Sequence, residues 1–169
     1  MLSPEYCALM ARYNRWMNER LYALCANLAD DERKKDRGAF FRSIHGTLNH
    51  LLFGDIVWMA RFQQREGPKR IIAELHADFG ELCAAREAMD VRILEWTATL
   101  TPQWLAAPFS YVSNVDRRTR TMPAWVLVAH LFNHQTHHRG QLTTLLSQLG
   151  IDPGVTDLPF LPEFASAPV

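Results

Sequence analysis

The stretch AFFRSIHGTLNHLLFGDIVWMARFQQ, residues 39–64, is apolar almost all the way round a helix. At 3.6 residues per turn, Phe40, Ile44, Leu48, Leu51, Leu52 and Phe62 form one stripe, while Phe53, Ile56, Val57 and Ala60 cover much of the opposite side. A helix of that kind is buried on more than one side. In a chain of 169 residues it needs other helices along one face and a further cover on the other. We expect that cover to be a second copy of the chain, making this helix a homodimer interface. The alternative is that the C-terminal tail folds over the outer face.

Three more segments carry the same period. Residues 3–28 open with Ser3 as N-cap, Pro4 at the first helical position and Glu5 in the first turn. Residues 73–100 stop at Thr101-Pro102, and residues 122–149 stop at Gly150, with Pro153 just beyond. The second segment itself ends before Glu66-Gly67-Pro68. The connector ADDERKKDRG reads as a solvated loop with room for one helical turn. Between the third and fourth segments, residues 109–112 and 118–121 pair as a small hairpin around Ser113-Asn114, and the proline-rich tail after Gly150 reads as an irregular strap. Four long helices with one long crossover give an all-α four-helix bundle, a single domain over residues 1–169.

Several classes of function are excluded. Lysine and arginine number 18 and aspartate and glutamate 18, so the basic excess of a nucleic-acid binder is missing. No run reaches the ~18 apolar residues of a membrane span, and the first residues lack the apolar core of a signal peptide. A cytoplasmic protein without nucleic-acid or membrane partners is expected. Cys7, Cys25 and Cys83 are odd in number and contain no CxxC pair, so they read as small buried hydrophobes rather than a disulfide framework.

The fourth segment contains HLFNHQTHHRGQL. His130, His134 and His138 lie four apart, on a stripe that begins at Leu127 and continues through Leu142, Leu145 and Leu149. His134 and His138 therefore face the core, whereas His137 points toward the rim. Two inward histidines at i, i+4 make a metal clamp geometrically easy, and two hydrogen-bonded core histidines fit the same spacing. A third donor is available at His45 or His50, which are five apart and cannot share a face. His50 stands in a stripe of small residues, Ser43, Gly46, Thr47 and Gly54, with room for a metal, a water and a substrate. Known alternatives fail. Gln135 stands where a zincin has its glutamate, no Glu-x-x-His pair supports a di-iron centre, and there is no CxxCH haem site, GxSxG elbow or glycine-rich phosphate loop.

YNRWMNERLY, TLNHLLFGDIVW and HLFNHQTHHRGQL, in that order across residues 13–142, resemble the DinB/YfiT-like superfamily of bacterial metalloproteins. The resemblance implies an up-down-down-up bundle, commonly a homodimer. It also implies a divalent metal, often nickel or zinc, held by three histidines that map to His50, His134 and His138. Iron and copper suit such donors too, and manganese stands as a further alternative. Relatives in that superfamily include a mycothiol-dependent maleylpyruvate isomerase and bacillithiol S-transferases. The implied partners are thus a low-molecular-weight thiol and an electrophilic small molecule, and the implied activity is thiol S-transfer or isomerisation. A metal-dependent hydrolase and a non-catalytic metal- or small-molecule-binding bundle are the alternatives.

Other residues take provisional roles around such a site. Asp55, just over a turn beyond His50, orients a ligand or forms a salt bridge with Arg139. Gln141 offers a hydrogen bond near the site or lies at the bundle surface, and Gly140 allows close helix packing. Tyr13 and Trp16 wall a pocket or belong to the core, with Asn14 and Asn18 as polar contacts in that pocket.

Overall fold

The computed structural model describes residues 2–68 and 74–165. In chain order the elements are α1 (Pro4–Ala26), α2 (Asp30–Lys34), α3 (Ile44–Phe62), α4 (Phe79–Thr97), α5 (Pro102–Ala106), β1 (Pro108–Val112), β2 (Thr119–Pro123), α6 (Ala124–Gln148), a 3-10 turn (Leu158–Phe160) and α7 (Pro162–Ala165). Capping chemistry sets the starts. The Ser3 side chain accepts from the Tyr6 N–H, Ser43 from Gly46 and Asp78 from Glu81, each satisfying an amide that the first helical turn leaves unpaired. Gly150 follows α6 with φ of 74°, the left-handed position where a side chain is costly.

The four long helices form an up-down-down-up bundle. Helices α3 and α4 run parallel, since Asp55 meets Arg86 and, further along both, Phe62 stacks on Trp96. Helix α6 runs against α3, pairing His138 with His50 and His130 with Trp58. Helix α1 runs against α4, with Asn18 on Asp90 and Tyr22 on Phe79, so α1 and α6 share a direction. Leu21, Leu48, Leu52, Leu82, Ile93 and Leu131 are buried at the centre. No helix of the described residues is long and apolar enough to cross a membrane.

Boundaries differ from the sequence expectation most at the starts of α3 and α4; in addition α1 ends at Ala26 rather than 28, α4 at Thr97 rather than 100, and α6 starts at Ala124 rather than 122. Helix α3 begins at Ile44 rather than residue 39, because Arg42 takes a left-handed φ of 65° and Ser43 caps the helix. Phe40 therefore lies outside the stripe assigned to it and is 81% exposed. Helix α4 begins at Phe79, and the expected start at residue 73 lies outside the described residues. The hairpin forms with Val112 opposite Thr119, one residue shifted from the expected pairing.

The outer face of α3 is covered within the chain. Phe53, Val57 and Ala60 are buried and Ile56 is half-buried, and Phe53 and Val57 border an open cleft that Asn114 and Val115 of the hairpin turn also line. The tail goes elsewhere. Tyr13 Oη donates to the Thr156 carbonyl, Arg20 to Pro153 and Val155, and Arg12 pairs with Glu163, so the strap lies along α1.

Candidate metal centre

Three imidazoles converge between α3 and α6. His50 Nε2 lies 3.0 Å from His134 Nε2 and 3.1 Å from His138 Nε2. Their donor atoms all fall within 4.8 Å of one another, an arrangement that could hold a metal ion. His45, the other candidate on α3, is turned away: its Nε2 lies 2.8 Å from the His76 carbonyl oxygen. Five residues of helix rotate a side chain to a different face, which is why only one of the two histidines reaches α6.

Small and flat neighbours make room for the cluster. A Cβ on Gly54 would stand 2.6 Å from His134 Cε1, so glycine is what lets that ring cross to α3. Phe41 stacks on His50 with ring centroids 3.7 Å apart. It reaches that place through the left-handed turn at Arg42, which in turn needs Gly46, where a Cβ would meet the Phe41 carbonyl oxygen at 2.2 Å. Phe41 was hidden to sequence reading, because the apolar pair Phe40-Phe41 continues the helical period. The Ser43 cap is the signal that would have revealed it.

The electrostatics favour neutral rings. Burial, with His138 nearby, lowers the His50 pKa to about 4. Burial and the surrounding histidines lower that of His134 to about 3. His138 is also lowered by burial, against an opposing hydrogen bond to Gln141. Gln141 Oε1 lies 2.7 Å from His138 Nδ1. An Nδ1–H donated to that oxygen leaves the lone pair of Nε2 facing the cluster. His134 Nδ1 is buried with no hydrogen-bond partner among the described residues. Three neutral nitrogen donors at one point, beside a glycine cradle, fit a divalent metal in chemistry and space. His137 is exposed beside His138.

The remaining sequence candidates do not gather at this point. Asp55 is fully buried, but its partners are Arg86, at 2.6 Å, and the Gln135 amide, not Arg139. Asp90 lies 2.9 Å from Arg86 Nη2 and accepts from Asn18, while Arg139 donates to Asn14 and Gln135. Asn14 and Asn18 are thus parts of a buried network and do not line the cleft beside the histidines, Asn18 bordering instead a separate cavity with Arg86 and Asp90, and Tyr13 packs under the Arg139 guanidinium. Trp16 stacks with Arg20 on the outer side of α1. Burial raises the Asp55 and Asp90 pKa values against the pull of Arg86. For Arg86, burial works downward, but Asp55 and Asp90 outweigh it and raise the pKa. Gly140 faces open space, so close packing is not its role. Arg86 and Gln135 escaped the sequence reading because nothing local marks them. Cys7 and Cys25 are fully buried, and Cys83 is partly exposed.

A cleft of about 320 Å³ opens beside the cluster, bordered by His50, His134, Trp58, Arg61, Tyr111 and His130.

Comparison with known proteins gives consistent relatives. The model of the DinB family matches residues 1–168. Protein DinB of Bacillus subtilis (strain 168) is 24% identical over 158 residues, covering 90% of this chain and 91% of its own. The crystal structure of a DinB-like protein from Bacillus cereus ATCC 10987 superposes with a TM-score of 0.62 at 20% identity, covering 83% of this chain and 91% of that one.

Proposed function

The chain belongs to the DinB family, and we propose on that premise that it binds one divalent metal through His50, His134 and His138 and acts as a thiol S-transferase or thiol-dependent isomerase. The observation that carries this reading is the convergence of three Nε2 atoms at 3.0–3.1 Å beside an accessible cleft. Nickel and zinc are the metals proposed, both suited to imidazole donors. A divalent metal with an open position supplies Lewis acidity and lowers the pKa of a thiol or water that enters it.

The chain's own residues supply orientation and access. Gln141 holds the His138 tautomer, Phe41 holds the plane of His50, and Gly54 leaves the His134 ring its place. The cleft admits an electrophile along its apolar walls to the edge of the cluster. The proposed partners are a low-molecular-weight thiol and that electrophile. A second copy of the chain is proposed as well, with the exposed Phe40 beside the site favouring association; sedimentation tests it, and a monomer at all concentrations would contradict it.

The activity test follows loss of free thiol when metal-loaded, tag-free protein meets cysteine and 1-chloro-2,4-dinitrobenzene. Thiol consumption above background that is abolished by His134→Ala is expected. Metal bound at full occupancy with no consumption above background would instead favour a non-catalytic metal-binding bundle.

A further inference from the structure

Among the described residues, Arg61 is the one charged side chain on the wall of the cleft, and no acid lines it. Its guanidinium lies against an edge-to-face pair of rings, 4.6 Å from the Trp58 centroid and 4.7 Å from that of Tyr111. Arg61 Nη2 donates to the Val112 carbonyl at 3.1 Å, and Arg61 forms no ion pair among the described residues. Burial lowers its pKa, though not to a value that neutralises an arginine. The contrast with Arg86 is direct, since that buried guanidinium lies against two carboxylates. A partly buried cation positioned by two aromatics, with N–H groups free of carboxylate, is a prepared half of an ion pair.

The surroundings say what completes it. Phe53, Val57, Trp58, Tyr111 and Val115 make the walls largely apolar. Arg61 lies seven residues beyond Gly54, which touches His134, a rise of about 10 Å along α3. Its guanidinium sits over the Trp58 ring, whose centroid is 5.0 Å from that of His130, itself 5.8 Å from that of His134. A flat body of one ring or a short unsaturated chain lies along that aromatic wall, from the guanidinium toward the cluster. One guanidinium neutralises one negative charge, and its planar fork matches two carboxylate oxygens better than a phosphate dianion.

We propose that the cleft binds a small organic monocarboxylate with a flat apolar body, its carboxylate on Arg61, its body against Trp58 and Tyr111, and its far end at the histidine cluster. This names the class of electrophile for the site described above. It rests on that reading only for the chemistry at the far end, because the carboxylate contact needs no metal.

The test uses benzoate and its neutral counterpart benzamide as probes, titrated by NMR into chelator-treated full-length protein so that no metal competes for the carboxylate. Wild type is expected to prefer benzoate over benzamide by about tenfold or more. Arg61→Gln reduces that ratio to near one, and Arg61→Lys keeps part of it. A wild-type ratio near one, an Arg61→Gln ratio equal to that of wild type, or no binding of either probe to wild type overturns the proposal. The ratio reads the carboxylate contact even if a variant loosens the cleft as a whole. If Arg61→Gln does not fold, the wild-type ratio and Arg61→Lys decide. A protein that binds no metal but keeps the benzoate preference would sink the metalloenzyme reading alone; full metal occupancy with no preference would sink this one alone.

Discussion

The bundle holds two polar clusters on neighbouring levels of the same helices, and they are built on opposite rules. In one, Asp55 and Asp90 meet Arg86, while Arg139, Asn14, Asn18 and Gln135 supply complementary donors and acceptors across all four helices. Its two carboxylates face two guanidiniums, so charge is matched within the protein. In the other, three neutral imidazoles turn the same atom, Nε2, toward one point, and no protein group complements them all. Matched burial fixes one arrangement of the helices. Unmatched burial of like donors carries a desolvation cost that a ligand from outside offsets. The contrast separates residues that hold the fold from residues that serve the site.

The largest expected effect lies in the network. Arg86→Met leaves two buried carboxylates without their cation and is expected to lower unfolding free energy by about 3–5 kcal/mol, measured by urea denaturation of metal-free protein. His50→Ala under the same conditions is expected to change it by no more than ~1 kcal/mol. Equal losses in both variants would erase the distinction between the clusters.

The next effect lies in the histidines. Zinc or nickel at about a thousandfold excess over its dissociation constant should stabilise wild type by ~4 kcal/mol, read as a raised unfolding midpoint, and should leave His134→Ala unmoved. Smaller still are the supports. Gln141→Leu and Gly54→Ala are each expected to weaken metal affinity roughly 10–100-fold, followed by competition with a chromogenic chelator; unaltered affinity in both would mean that the cluster needs neither neighbour. The Gly54 change acts by displacing the His134 ring, which a new Cβ would meet at 2.6 Å.

A separate effect, graded by acidity, is that of pH on metal-free protein. His50 falls from an ordinary 6.5 to about 4 on folding, so the unfolded chain takes up its proton first as pH drops. The contribution is absent above about 6.5, where the ring is neutral in both states, and becomes progressively destabilising as pH falls toward 4. Wild type should therefore lose stability relative to His50→Ala across that window. A constant difference between pH 7 and 4 would show that the ring is not held neutral by burial.

Much of this contrast was legible in the chain, but unevenly. Helix existence was plain, because apolar spacing, Ser3-Pro4 and Gly150 all act locally. His134 and His138 could be placed on one inward face by their spacing alone. Choosing His50 over His45 took the family resemblance, since sequence shows that the two differ in face but not which face meets α6. The network was hidden for a physical reason. Asp55 and Arg86 are 31 residues apart and Asp55 and Gln135 are 80 apart, and a charged residue on a helix reads as solvated until its partner is known. Of the two roles read for Asp55, orienting a ligand or pairing with Arg139, the structure shows no direct pair: Arg86 takes one carboxylate oxygen, and Gln135 bridges the other to Arg139. The start of α3 was missed for a similar reason: a single left-handed residue, Arg42, outweighs an unbroken apolar period.

The central claim is that the unmatched cluster is a metal site, and mass-spectrometric metal content of tag-free protein tests it most directly. About one divalent metal per chain in wild type, lost in both His50→Ala and His134→Ala while each stays folded, is the predicted result. Metal-free wild type after purification and after loading with zinc or nickel, or metal retained unchanged in the two variants, would contradict it.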